Sequence, residues 1–147
     1  MELVLLKIKH LLSSAQIYFE KADPSALEAK PTPEKWSKKE ILGHLVDSAI
    51  NNIQRFTEIQ NQSKPYQVRS YDPDALVAAN DYQHKDLQEL VSLWKSLNLH
   101  ISFIVSRQTQ ATQKYPLILP NSQTKDLKFL INDYVDHLEH HLDQIYH

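Results

Sequence analysis

Eight histidines and no cysteine make imidazole the only soft metal ligand that this 147-residue chain offers. Two of them, His137 and His141, stand four residues apart near the end of the sequence. On a helix that spacing sets two rings one turn apart on one face. Such a pair can grip a single ion, as the His-x-x-x-His of zinc proteases does. Spacing alone decides nothing, because eight histidines in a chain of this length give such a pair by chance about 0.4 times. Position on the helix says more. On a wheel of about 100° per residue, Leu130, Tyr134, Val135 and Leu138 fill an apolar arc. His141 falls inside that arc, His137 falls at its edge, and His140 lies further round beside Asp133 and Asp136. Two inward-facing neutral imidazoles need polar partners, and one ion satisfies both. The competing reading is a pair of hydrogen-bonded or solvated histidines with no metal.

A third histidine sits on another predicted helix. His44 shares its face with Ser48, Asn51 and Arg55, with Asp47 flanking, so a polar strip runs for about three turns. A plain solvent face is one explanation. The other is a site: if this helix runs antiparallel to that of His137 and His141, the three histidines come level at one end of a bundle. Three neutral nitrogen ligands leave a position open, the pattern of a catalytic rather than a structural metal. Imidazoles suit zinc or nickel and not calcium or magnesium. Because they must shed protons to bind, occupancy is expected to fall below their ordinary pKa of about 6.5. Asp47 is the candidate general base, and Asn51 and Arg55 are candidates for holding an anionic substrate group. Asp133, His140 and Gln144 surround the pair as residues that could orient its rings. His10, His84, His100 and His147 lack such company and read as surface residues. Ser48, on a regular helix, lacks the strained elbow and oxyanion donors of a serine hydrolase.

The elements that must position these residues are four amphipathic helices. Leu5, Ile8, Leu12, Ala15 and Phe19 predict a helix over about residues 2–21. A connector with three prolines covers 22–36. Ser37 and Glu40 form a capping box that opens a second helix to about residue 60, with Leu42, Leu45, Ala49, Ile53 and Phe56 apolar. A long connector follows over about 61–80. Leu87, Leu90, Trp94, Leu97, Ile101 and Ile104 predict the third helix, and Trp94 and Phe103 are expected in the core. A connector over about 109–123 contains Pro116–Pro120, expected extended against the bundle. The fourth helix is expected from near Thr124. Four such helices over residues 1–147 predict an all-α four-helix bundle, a single domain. The connectors exceed the usual length of about 2–8 residues and are long enough for parallel neighbours, so spacing leaves the topology open.

Composition removes other classes. The single glycine, Gly43, excludes glycine-rich phosphate cradles and dinucleotide fingerprints. A formal charge of −2 argues against a basic nucleic-acid face. No apolar run long enough to span a membrane and no signal peptide is seen, so a cytoplasmic setting is expected.

Three stretches together resemble a known family. Trp36-Ser37, Glu40-Ile-Leu-Gly-His44-Leu-Val-Asp47-Ser48, Asn51-Asn52 and Arg55-Phe56 are similar to the first signature of the DinB-like superfamily. Tyr71-Asp72-Pro73-Asp74 resembles a loop of its YfiT-like branch, whose members are described as metal-dependent hydrolases. Asp136-His137-Leu-Glu-His140-His141-Leu-Asp-Gln144-Ile145 resembles its closing signature. The resemblance implies a four-helix bundle with long crossovers, up-down-down-up, and a zinc or nickel ion on His44, His137 and His141. Some members carry a further histidine where this chain has Gln144, which leaves His137 and His141 as the intact pair. It also implies a small-molecule substrate, a low-molecular-weight thiol as cosubstrate in some members, and a homodimer. The alternative to an enzyme is a non-catalytic metal-binding bundle or dimeric interaction module.

Overall fold

The computed structural model describes residues 1–147. Four long helices build the bundle: α1 (Glu2–Lys21), α3 (Lys38–Asn61), α5 (Leu87–Ser106) and α6 (Leu127–Tyr146). Two short helices, α2 (Pro24–Glu28) and α4 (Pro73–Asn80), lie in stretches read above as plain connectors. Each is too short to show a helical period, and each starts on an Asp-Pro step. Asp23 accepts from the Ser25 amide and Asp72 from the Ala75 amide, with proline at the first turn, where no backbone donor is lost.

The expected apolar stripes form the core. Ile8, Leu12, Ala15 and Phe19 of α1, Leu42, Leu45, Ala49 and Phe56 of α3, and Leu127, Leu130, Ile131, Tyr134, Leu138, Leu142 and Ile145 of α6 are buried. The Ser37 hydroxyl accepts from the Glu40 amide at 3.1 Å and Glu40 Oε2 accepts from the Ser37 amide at 2.8 Å, so α3 starts on the predicted capping box. Two details differ from the sequence reading. Thr124–Asp126 is a strand, β3, and α6 begins at Leu127, capped by Asp126. Phe103 is 62% exposed rather than core. The inward stripe of α5 runs Leu90, Trp94, Asn98, Ile101 and Val105, and Phe103 lies off it. Asn98 is buried within the stripe and accepts from the Tyr134 hydroxyl at 2.6 Å, tying α5 to α6.

Helix directions follow from pairs of contacts. Lys7 bonds Asp136 and Glu139, and the Tyr18 hydroxyl donates to the Ile145 carbonyl, so α1 and α6 are parallel. His44 meets His137 and Phe56 meets Tyr134, so α3 runs against α6. Gln16 meets Lys95, while Leu5 and Phe103 border the same groove, so α1 runs against α5. The order is therefore up-down-down-up. Only α3 and α5 are consecutive and parallel, so only their connection must travel back along the bundle.

That crossover begins at β1 (Tyr66–Gln67), which pairs in parallel with β2 (Pro116–Ile118); β2 pairs antiparallel with β3. The proline-bounded segment is thus extended as expected, with Leu117 fully buried. The chain then returns through α4 and a 3₁₀ turn at Tyr82–His84, packing on α3. Tyr82 sits directly on Gly43, where a Cβ would overlap its ring. Gly43→Ala should therefore destabilise the fold. Overpacking costs roughly 1–3 kcal/mol, against about 1 kcal/mol gained from better helix propensity. We expect a net loss of about 1 kcal/mol by denaturant titration, and a gain in stability would contradict the packing.

Candidate metal centre

Helices α3 and α6 carry the site because they are antiparallel and packed together. His44 lies two turns into α3, and His137 and His141 lie in the last turns of α6, so the opposed directions bring them level. Ring centroids are 4.4 Å apart for His137 and His141, 4.6 Å for His44 and His141, and 5.0 Å for His44 and His137. One nitrogen from each residue falls within 4.8 Å of the others. His44 Nε2 and His137 Nε2 stand 3.1 Å apart. Two nitrogens on one tetrahedral zinc, at about 2.0–2.1 Å each, are separated by about 3.3 Å, so this spacing suits a shared ion.

Electrostatics favours the same reading. His44 is 3% exposed, while His137 and His141 are half-buried. Burial, then the neighbouring His141, pushes the pKa of His44 down to about 4. Burial, then the surrounding imidazoles, holds His137 at about 4 as well. His141 is lowered by burial, with the Gln144 hydrogen bond opposing. His44 and His137 are therefore neutral nitrogen ligands well below the pH of about 6.5 expected from ordinary imidazoles, and His141 is shifted in the same direction. Protons compete at lower pH than the sequence suggests, because desolvation penalises the charged form.

Two of the rings have partners on their far nitrogens. Gln144 Oε1 is 2.8 Å from His141 Nδ1, which leaves Nε2 free to face the cluster. Ser48 Oγ is 3.4 Å from His137 Nδ1. Gln144 also reaches His140 Nε2 at 3.2 Å; His140 itself is exposed and outside the cluster. Trp36 lies over His44, centroids 5.0 Å apart and planes 32° apart. Ser48 and Trp36 were not among the predicted site residues. Their position beside His44 in the quoted signature was the available signal.

The other predicted residues divide. Asp47 is buried, but its Oδ1 accepts from the Tyr82 hydroxyl at 2.6 Å and from Asn80 at 2.9 Å. It is not part of the nitrogen cluster. Asn51 spends its amide on the Asp47 backbone carbonyl. Arg55 lies further along α3, donating to the Arg69 carbonyl at 2.6 Å and sitting 5.4 Å from the Tyr71 ring centre. Asp133 is exposed, with its carboxyl pushed up by partial desolvation and by Asp136, and opposed by Arg55. It makes no hydrogen bond to His137. His10, His84, His100 and His147 are exposed, as expected. None of the chain's cavities is lined by the three histidines. A reacting group would approach from the half-buried side, at His137 and His141.

The sequence matches the DinB superfamily over residues 9–145. The chain belongs to the DinB superfamily. Among solved structures, this DinB-superfamily chain is similar to YfiT from Bacillus subtilis, described as a probable metal-dependent hydrolase with an unusual four-helix bundle topology. The TM-score is 0.86 at 20% identity, covering 99% of this chain and 83% of YfiT. It is also similar to the mycothiol-dependent maleylpyruvate isomerase, with TM-score 0.74 and 12% identity over 97% of this chain. The match spans only 59% of that isomerase. At these identities the likeness is one of fold. No curated protein sequence matches the DinB-superfamily chain. None of its helices is long and apolar enough to cross a membrane.

Proposed function

We propose that this chain is a metal-dependent enzyme acting on a small molecule, with His44, His137 and His141 holding a zinc or nickel ion. The observation that carries this reading is the convergence of three neutral imidazoles from two helices on one point. When bound, the ion supplies Lewis acidity that lowers the pKa of a water or thiol at the open position. The chain's own residues do the rest. Gln144 and Ser48 orient the rings of His141 and His137, and burial keeps all three rings unprotonated. Arg55, with no carboxylate in ion-pair range, is the cation available to an anionic substrate group, with Asn51 between it and His44 on α3. The runner-up, a non-catalytic metal-binding bundle, shares the site and differs only in turnover. The homodimer reading draws support from apolar side chains left exposed on α1 and α5, among them Leu3, Leu6, Leu99 and Phe103.

The fold shared with the mycothiol-dependent isomerase supports a low-molecular-weight thiol as cosubstrate, and the fold shared with YfiT supports hydrolysis. Titrating cobalt-substituted protein with small thiols separates them. A sulfur-to-metal charge-transfer band that requires all three histidines is the expected result for thiol transfer. No band with any thiol, alongside metal-dependent ester or amide cleavage, leaves hydrolysis. Absence of any metal-dependent turnover leaves the non-catalytic bundle.

A further inference from the structure

Two buried polar atoms on the same face of α3 have no hydrogen-bond partner: His44 Nδ1 and Asp47 Oδ2. Orphans of this kind are rare in folded proteins and call for a physical reason. Residues three apart on a helix are neighbours, with Cβ atoms about 5–6 Å apart. The two atoms are also complementary. His44 Nε2 faces the cluster, 3.1 Å from His137 Nε2. If Nε2 offers its lone pair there, the ring's proton sits on Nδ1, which needs an acceptor. A carboxylate oxygen is only an acceptor.

The neighbouring rings show what is missing. His141 Nδ1 is backed by Gln144 and His137 Nδ1 by Ser48. Of the three, only His44 lacks a backing partner, and Asp47 Oδ2 is the one spare buried acceptor on that helix face. The remaining orphans, Trp94 Nε1, Gln108 Oε1 and Tyr146 Oη, lie on or beside α5 and at the end of α6. Asp47 is also firmly held. Its Oδ1 is fixed by Tyr82 and Asn80, and Tyr82 is pressed on Gly43, the residue next to His44. Histidines that bind metals commonly give their second N–H to a carboxylate, carbonyl or water, which sets the tautomer.

We infer that Asp47 is a positioning residue for His44: its Oδ2 accepts the His44 Nδ1 proton, directly or through one ordered water, and so keeps Nε2 free for the ion. The inference rests on the metal-centre reading and replaces the role of general base for Asp47. It makes a specific statement about Asp47→Asn. Tyr82 and Asn80 are donors to Oδ1, so the amide oxygen stays with them and the amide NH₂ turns toward His44. A donor then faces a donor, and His44 moves its proton to Nε2, the wrong nitrogen to release.

The test is nitrogen NMR of the histidine rings in the metal-free full chain near neutral pH, with zinc affinity measured by chelator competition. In the wild type, His44 should carry its proton on Nδ1. In Asp47→Asn it should carry it on Nε2, and zinc affinity should fall by about 10–100-fold. Unchanged affinity with an unchanged tautomer would overturn the inference. So would a wild-type His44 protonated on Nε2, a result that needs no variant and stands even if Asp47→Asn fails to fold. A wild-type chain that binds no zinc would overturn the metal-centre reading, while the His44 tautomer would still decide the inference.

Discussion

Replacing His44, His137 or His141 with alanine should each abolish tight zinc binding, whereas His140→Ala should leave most of it. The reasoning is geometric. Each of the three contributes a nitrogen to the cluster, so removing one leaves two ligands from a set of three. Losing a partner behind a ligand costs about 10–100-fold in metal affinity, and losing a ligand should cost more than that. His140 is exposed, and its contact with the site runs through Gln144, which keeps its own bond to His141 when the imidazole is removed. Metal content after dialysis and chelator competition read the result. Equal retention in all four variants would show that the ion, if any, sits elsewhere. The metal-free fold is expected to survive these substitutions, because none of the three rings belongs to the apolar core.

Acid should destabilise the metal-free protein between about pH 6.5 and pH 4, through the same histidines. In the unfolded chain an imidazole takes up its proton near pH 6.5, whereas in the folded chain His44 and His137 resist it to about 4. Across that window the unfolded state binds more protons. Unfolding free energy therefore falls as pH falls. The stability is fully present above the unfolded pKa and is lost on the way down to the folded one. His44 is nearly inaccessible to solvent and alone supplies on the order of 3 kcal/mol; half-buried His137 supplies less. Denaturant titrations of chelator-treated protein at neutral pH and at pH 5 measure the slope. Stability that stays flat over that range would refute the burial of His44. Zinc should steepen the dependence, since it binds the neutral rings that only the folded chain brings together.

Much of the architecture is legible along the chain because helix formation and burial are governed by local spacing. The 3.6-residue period of Leu127, Leu130, Ile131, Tyr134, Leu138, Leu142 and Ile145 marks the buried face of α6. The Ser37–Glu40 box sets the start of α3 to the residue. The same periodicity places His141 and His137 toward the bundle and His140 away from it. Short elements were not legible. α2 and α4 span five and eight residues, too few to repeat a period, and β3 takes its shape from pairing with β2 across a turn. Phe103 shows the limit of composition, since an aromatic residue was expected inside and helix rotation put it in solvent.

The sequence by itself determined four amphipathic helices, imidazole as the only soft ligand type and a histidine pair one turn apart, all consequences of residue type and local spacing. Tertiary structure decided what His44 and its neighbours became. Along α3, the Ser48–Asn51–Arg55 strip looks like a solvent face, and no local rule contradicts that. The parallel course of α3 and α5 forces their connection back along the bundle. That crossover lays Asn80 and Tyr82 on Asp47, and Arg69 and Tyr71 on Arg55. Asp47, Ser48 and Asn52 are buried in consequence, and His44 is sealed between Trp36 and the end of α6. Antiparallel packing of α3 on α6 then joins residues about 90 positions apart in sequence into one nitrogen cluster. Desolvation, which no residue carries in its own identity, is what makes those nitrogens neutral and available.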